Sequence, residues 1–296
     1  MRKVLASLIV LILVAAGLAW WLTAPDPLDP EVTARLTGDA EHGAAIFNAG
    51  GCASCHAAPG AEGEARLELA GGRAFASPFG TFHAPNISNS DTAGIGAWTT
   101  ADLANAMMRG VSPAGRHYYP AFPYTSYAKA RPQDIADLRA YLATLPASET
   151  PSRAHEVGFP FNVRRALGGW KLLFFRDDFV LEEVNSDELA RGRYLVEALG
   201  HCGECHTPRN GLGGPKRDMW LGGAANPSGE GRIPNITSGG LDWSEGEIAE
   251  YLASGFTPDF DVAGGEMAEV VQNTAQLSPS DRAAIAAYLK AVPAVK

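Results

Sequence analysis

The sequence predicts an all-α chain, with two tandem helical domains behind an N-terminal membrane-spanning helix. Three observations predict it: an apolar run of nineteen residues near the N-terminus, a set of motifs repeated at an offset of 145 to 150 residues, and helical rather than alternating patterning in both copies. Composition agrees with a folded protein, since 46% of the 296 residues are hydrophobic and only 19% charged. A formal net charge of −9 argues against a nucleic-acid reader, which needs a basic face for phosphates.

The first element is the apolar run Val4–Leu22, in which Ser7 is the only polar side chain. As a helix it is long enough for the ~30 Å hydrocarbon core of a bilayer. Arg2 and Lys3 hold its near end in the cytoplasm, and Trp20 and Trp21 close the far end, where indoles favour the interface. A cleaved signal peptide is the rival reading. Its apolar region usually runs ~7–15 residues, and the small residues at Gly17-Leu18-Ala19 make a weak cleavage site. Residues 1–23 are therefore expected to be an uncleaved, single-pass anchor in the inner (cytoplasmic) membrane, with the rest of the chain in the periplasm. The proline-rich stretch 24–37 is expected to be a stiff spacer.

Behind the spacer the repeat sets the domains at 38–149 and 186–296. Gly43-Ala44-Ala45-Ile46-Phe47 matches Gly192-Arg193-Tyr194-Leu195-Val196. Pro85-Asn86-Ile87-Ser88 matches Pro234-Asn235-Ile236-Thr237, and Trp98 matches Trp243. Ala140-Tyr141-Leu142 with Pro146 matches Ala287-Tyr288-Leu289 with Pro293. Later helices are predicted over Thr100–Met108, Pro132–Ala143, Ser244–Ala253 and Ser278–Ala291, with Thr100, Ser244 and Ser278 placed as N-caps. Between the copies, residues 150–185 begin as a polar linker and then turn aromatic from Phe159 to Phe175. This stretch reads as a helix packed across both domains, with a partner-docking surface as the alternative. Arg164 and Arg165 are candidates to meet negatively charged groups of a cofactor.

All four cysteines lie in two C-x-x-C-H motifs, Cys52-Ala53-Ser54-Cys55-His56 and Cys202-Gly203-Glu204-Cys205-His206. Two thiols at this spacing can each add to one vinyl group of a porphyrin, and the adjacent histidine then meets the iron. The motifs therefore predict two covalently bound haem c groups, anchored by Cys52, Cys55, Cys202 and Cys205, with His56 and His206 as proximal ligands. A zinc site would not need a histidine after each pair. A redox pair would need a βαβ setting, and two disulfides leave the repeated histidines unexplained. Domains of this length are small for a self-sufficient core, so a buried haem is expected to supply much of the interior.

Taken as a set, C-x-x-C-H, P-N-I-[ST], Gly94–Trp98 and Gly115-Arg116-His117-Tyr118-Tyr119-Pro120-Ala121-Phe122-Pro123-Tyr124 resemble the cytochrome c subunits of membrane-bound alcohol, gluconate and related dehydrogenases. The likeness covers roughly residues 38–296 and implies two tandem cytochrome c domains. It also implies a periplasmic dehydrogenase as electron donor and a downstream oxidase or cytochrome as acceptor. Those subunits commonly carry three haems. This chain has two motifs, so the three-haem relatives' substrate and quinone chemistry does not carry over.

The sixth iron ligands differ between the copies. Gly264-Gly265-Glu266-Met267 resembles the family's methionine segment, which makes Met267 the expected distal ligand of the second haem; Met219, close after His206, reads as packing. In the first copy the family's methionine position holds Phe122, which cannot ligate. His117 is the leading substitute, because it lies 65 residues after Cys52, the interval that also separates Cys202 from Met267. Met107, Met108, His83 and no strong ligand stay open beside it. A His/Met haem sits at higher potential than a bis-His one, which would make transfer from the first haem to the second downhill.

Two function classes follow. One is a membrane-anchored two-haem electron carrier with no substrate of its own. The other is a two-haem enzyme, peroxidase-like, with an open iron at the first haem. Gly211-Leu212-Gly213-Gly214 lacks the strand–helix setting of a dinucleotide loop and reads as a turn. Asp177-Asp178 and Glu182-Glu183 read as solvated charge. Arg2 and Lys3 are the only charges before residue 24, so the exported part holds 22 basic and 33 acidic side chains, a balance of −11 that favours steering of a basic redox partner.

Overall fold

The computed structural model describes residues 1–227 and 231–296. Helix α1 (Arg2–Leu22) has no buried residue and is long and apolar enough to cross a membrane, a property that signal sequences share. The first copy contains α2 (Ala40–Ala49), α3 (Cys52–His56), a hairpin of β1 (Ala74–Ser77) and β2 (Gly80–His83), α4 (Thr100–Ala104), α5 (Tyr124–Tyr127) and α6 (Pro132–Leu142). Helix α7 (Ala166–Phe174) follows. The second copy contains α8 (Asp187–Tyr194), α9 (Gly203–His206), a hairpin of β3 (Ala224–Ala225) and β4 (Arg232–Ile233), α10 (Glu245–Ser254), α11 (Glu266–Thr274) and α12 (Pro279–Ala291). Both hairpins are antiparallel, pairing Ala74 with His83 and Ala224 with Ile233.

Each copy is built on a crossing of its first and last helices, α2 on α6 and α8 on α12. A glycine makes each crossing close. A Cβ at Gly43 would lie 2.0 Å from the Asp137 carbonyl oxygen, and one at Gly192 would lie 1.9 Å from that of Ala284. This explains why Gly43 and Gly192 recur in the repeat. Ile46, Phe47, Ile135 and Leu138 fill the first crossing, and Leu195, Val196, Ala286 and Tyr288 the second. They belong to one apolar cluster that runs through both copies.

The helix starts follow local chemistry. Ser244 caps α10 reciprocally with Glu247, and Ser278 caps α12 ahead of Pro279, both at the predicted places. In the first copy Thr99, not Thr100, is the cap. Its hydroxyl bonds the Asp102 amide while the Asp102 carboxylate accepts from the Thr99 amide. Only Thr99 stands three residues before a carboxylate, as this box requires. Helix α4 then continues as a π-helical turn, Asn105–Arg109.

Two connecting segments differ from expectation. The spacer after α1 is laid along the first domain: Leu28 donates its amide to Asn105 Oδ1 at 2.7 Å, and Asp26 pairs with Arg109. The head of the linker is likewise stitched to domain 1. Glu156 exchanges backbone hydrogen bonds with Thr81, and the Asn86 amide group donates to Ser148 and Thr150 carbonyls. Polar composition reads as solvated chain until the partners that satisfy it are seen. Helix α7 does pack across both domains. The Trp170 ring meets Tyr124 of the first, and its indole Nε1 donates to the Leu212 carbonyl of the second at 2.9 Å. Gly211–Gly214 forms the expected turn, closed by the Arg209–Pro215 bridge.

Candidate haem sites

Helix α3 carries Cys52 and Cys55, and α9 carries Cys205 with Cys202 at its N-cap; none of the four is joined in a disulfide. Desolvation by the surrounding protein pushes the Cys52 and Cys202 thiols up to about 12.

Each attachment histidine is oriented by the repeated proline. His56 Nδ1 donates to the Pro85 carbonyl at 2.9 Å, and His206 Nδ1 donates to that of Pro234 at 2.8 Å. This fixes the tautomer and leaves Nε2 as the lone-pair nitrogen, the arrangement an iron ligand needs. Burial also lowers both imidazole pKa values, which keeps them neutral. The carbonyl is held in place by the rest of the motif. The Asn86 and Asn235 carboxamide oxygens accept from the Ser88 and Thr237 amides, Ile87 N and Ile236 N bond the Leu69 and Leu221 carbonyls, and the asparagine amide groups reach the chain beyond the last helix. The repetition of P-N-I-[ST] signalled a shared role. That the working group is a backbone carbonyl is visible only in three dimensions. The donor set and its orientation fit a haem at each motif, with each imidazole set to meet an iron and each cysteine pair beside it.

The distal segments are related by register. Val111 bridges His117 in the first copy as Phe256 bridges Val262 in the second, and Tyr118 N bonds Gly110 O as Ala263 N bonds Gly255 O. His117 is therefore the counterpart of Val262, a side chain that is 59% exposed. Phe122 is the counterpart of Met267. The matching 65-residue intervals arise from five extra residues in the first copy. One lies between His56 and Pro85 and four between Pro85 and Trp98. The spacing argument that set His117 opposite Met267 is thereby corrected.

The side chains agree with this register. His117 is buried at the foot of α1, where its Nε2 donates to the Thr23 carbonyl at 3.0 Å. Burial first, reinforced by Lys171 and Arg165, lowers its pKa against the pull of that carbonyl. Met107 and Met108 are buried on the π-helical turn, and Met107 has the core residue Leu252 as its counterpart. His83 is buried with Nε2 3.1 Å from Glu156 Oε1. Phe122 packs edge-on against Tyr118 and tilted against Tyr127. Arg164 and Arg165 have protein partners. Arg164 donates to the His117 carbonyl at 3.0 Å, and the Arg165 guanidinium lies over the Trp20 ring.

Met267 sits half-buried in the first turn of α11, and the first domain fixes that helix. Arg73 pairs with Glu266 at 2.6 Å and Arg66 with Glu269 at 2.7 Å, on either side of the methionine. Asn273 donates to Ser54 Oγ at 2.6 Å, and Ser54 lies within the first C-x-x-C-H motif. The reciprocal contact is also made. Glu204, within the second motif, accepts from Thr125 Oγ1 at 2.9 Å and Ser126 Oγ at 3.0 Å on α5, just beyond Phe122. Desolvation alone would raise the Glu204 carboxyl. Arg209, the Thr125 and Ser126 hydroxyls and His201 outweigh it and hold its pKa below the ordinary value. Each attachment helix thus grips the distal helix of the other domain. The motifs themselves abut: His201 Nε2 donates to the Gly50 carbonyl at 3.2 Å, and Cys55 is among the groups that raise the Cys205 thiol. The residues at the free positions of C-x-x-C-H, Ser54 and Glu204, carried no sequence signal for this seam.

Comparison with known proteins follows the same division. The cytochrome c family profile matches residues 40–146 and 189–293. A diheme cytochrome c-type protein of Cereibacter sphaeroides is 58% identical over the full length of both chains. The fructose dehydrogenase cytochrome subunit of Gluconobacter japonicus is 37% identical over 90% of this chain and 55% of its own length. The gluconate 2-dehydrogenase cytochrome c subunit of Pantoea cypripedii is 34% identical over 86% and 59%. This chain therefore spans little more than half the length of those dehydrogenase subunits.

Proposed function

Because the chain belongs to the cytochrome c family and carries two covalently bound haem c groups, we propose that it is a membrane-anchored electron carrier, taking electrons from a periplasmic dehydrogenase and passing them to a downstream oxidase or cytochrome. The haems supply reversible one-electron transfer. Cys52 and Cys55 hold the first and Cys202 and Cys205 the second, with His56 and His206 presenting Nε2 under the aim of the Pro85 and Pro234 carbonyls. Met267 completes the second site. The first receives nothing from Phe122, and His117 belongs to the junction with α1.

The observation that carries this reading is the seam. Ser54 with Asn273, and Glu204 with Thr125 and Ser126, fix the two attachment motifs against each other, as a relay requires. The relatives that are cytochrome subunits of dehydrogenases support the donor class. The acidic exported surface suits steering of a basic partner. Retention of α1 in the inner membrane, with both domains in the periplasm, is supported by the way its foot is built into the body through His117–Thr23 and Arg109–Asp26.

A second reading, a peroxidase-like enzyme, draws on the Phe122 register, which leaves the first iron without the family's methionine. Purified holoprotein separates the two. The carrier titrates reversibly at both haems and does not consume hydrogen peroxide; peroxide turnover, with cyanide binding at one haem, would establish the enzyme instead.

A further inference from the structure

The aromatic segment between the domains presents apolar side chains outward at the point where α1 ends. Phe159 is 84% exposed, Leu172 54% and Leu173 58%, and Phe161 and Val163 are exposed beside them. The inner side of α7 is tied to the foot of α1. A Cβ at Gly168 would lie 2.1 Å from the Thr23 carbonyl oxygen, and Arg165 covers the ring of Trp20 and donates to its carbonyl. Lys171 donates to the Gly110 carbonyl at 2.9 Å, locking the helix to domain 1. Residues 159–176 contain four basic side chains, Arg164, Arg165, Lys171 and Arg176, and no acidic one, although the exported part as a whole is acidic.

We propose that α7 and the Phe159–Val163 loop form a second membrane contact, lying in the headgroup layer of an anionic bilayer. The proposal rests on the reading of α1 as a spanning helix, because that reading sets the depth. Trp20 and Trp21 mark the interface, and α7 touches Trp20 and Thr23 directly. An apolar helix side flanked by cations, at the level where the hydrocarbon ends, is the pattern of an interfacial helix. The basic segment in an acidic body matches anionic headgroups, and long cationic side chains can lie along apolar surface with their charges in the headgroups. Two attachments, one spanning and one lying flat, would fix the orientation of both haem domains relative to the bilayer.

The test uses full-length, haem-loaded protein in vesicles of phosphatidylethanolamine and phosphatidylglycerol. Its native thiols are consumed by haem attachment, so L172C, L173C and the domain 2 control S280C each carry one reactive thiol for a bimane label. Brominated acyl chains are expected to quench the labels at 172 and 173 by roughly twofold or more, given a burial depth of ~5–10 Å, and to leave the label at 280 unchanged. Alkaline carbonate extraction reports on α1 separately. Retained protein with unquenched labels overturns the α7 contact and leaves the anchor standing. Extracted protein whose labels were quenched beforehand refutes the anchor and supports α7 as a peripheral contact. Extraction with unquenched labels overturns both. Labels shielded by dimer formation, without bromolipid quenching, also overturn the proposal.

Discussion

Replacing Glu204 tests the interdomain seam where it can be measured. Its carboxylate receives two hydroxyl hydrogen bonds across the seam, from Thr125 and Ser126, and an ion pair from Arg209 within its own domain. A hydrogen bond to a charged group contributes ~1.5–3 kcal/mol. The Glu204 side chain keeps 19% of its exposure and Arg209 33%, so water can compensate in part. Glu204→Ala is therefore expected to cost about 2–3 kcal/mol. In a double-mutant cycle with Ser126→Ala, one hydrogen bond should appear as a coupling of about 1 kcal/mol. The assay is equilibrium denaturation of the holoprotein, followed through the haem absorbance and the far-ultraviolet dichroism. A coupling indistinguishable from zero would refute the seam as an energetic contact. The pH dependence has a definite sign. The folded pKa of Glu204 lies below its unfolded value near 4.5, so its stabilisation is complete above that value and is lost as pH falls through the folded pKa. Glu204→Gln should flatten the acid limb of the wild-type stability curve.

Three further outcomes follow from the geometry. Met267→Ala should lower the midpoint of one haem by roughly a tenth or more of the ~0.8 V span that axial ligands cover, read by redox titration; an unchanged midpoint removes Met267 from the iron. His117→Ala should leave the visible spectra of both haems unaltered while costing about 1 kcal/mol for the lost bond to Thr23, and a change of spin state would restore His117 as a ligand. Gly192→Ala should destabilise by about 3 kcal/mol or more, the upper end of overpacking, because the new Cβ would lie 1.9 Å from a carbonyl oxygen on a packed helix; a denaturation midpoint within error of wild type would contradict the crossing.

Much of this molecule was legible before folding was considered. C-x-x-C-H names its chemistry because thioether attachment demands that spacing along one turn, and the spacing is local. The repeat set the domains for the same reason, since each copy carries its own helix caps, crossing glycine and Pro-Asn-Ile turn. The first cap was misplaced by one residue, at Thr100, because the capping box depends on the distance to Asp102 and not on residue type alone.

What failed was inference across the chain. Equal counts of residues made His117 look like the partner of Met267, yet five extra residues in two stretches of the first copy produced that equality, and only the Val111–His117 bridge restored the register. Composition likewise does not show that Arg164 meets the His117 carbonyl and Arg165 the Trp20 indole. The sequence by itself determined the two haem anchors, the helical class and the apolar span, all set by patterns a few residues long. The tertiary structure alone decided which carbonyl aims each imidazole, that Phe122 and not His117 stands in register with Met267, and how each motif grips the other domain. Those contacts join residues up to 219 positions apart, and no local pattern encodes a distance of that kind.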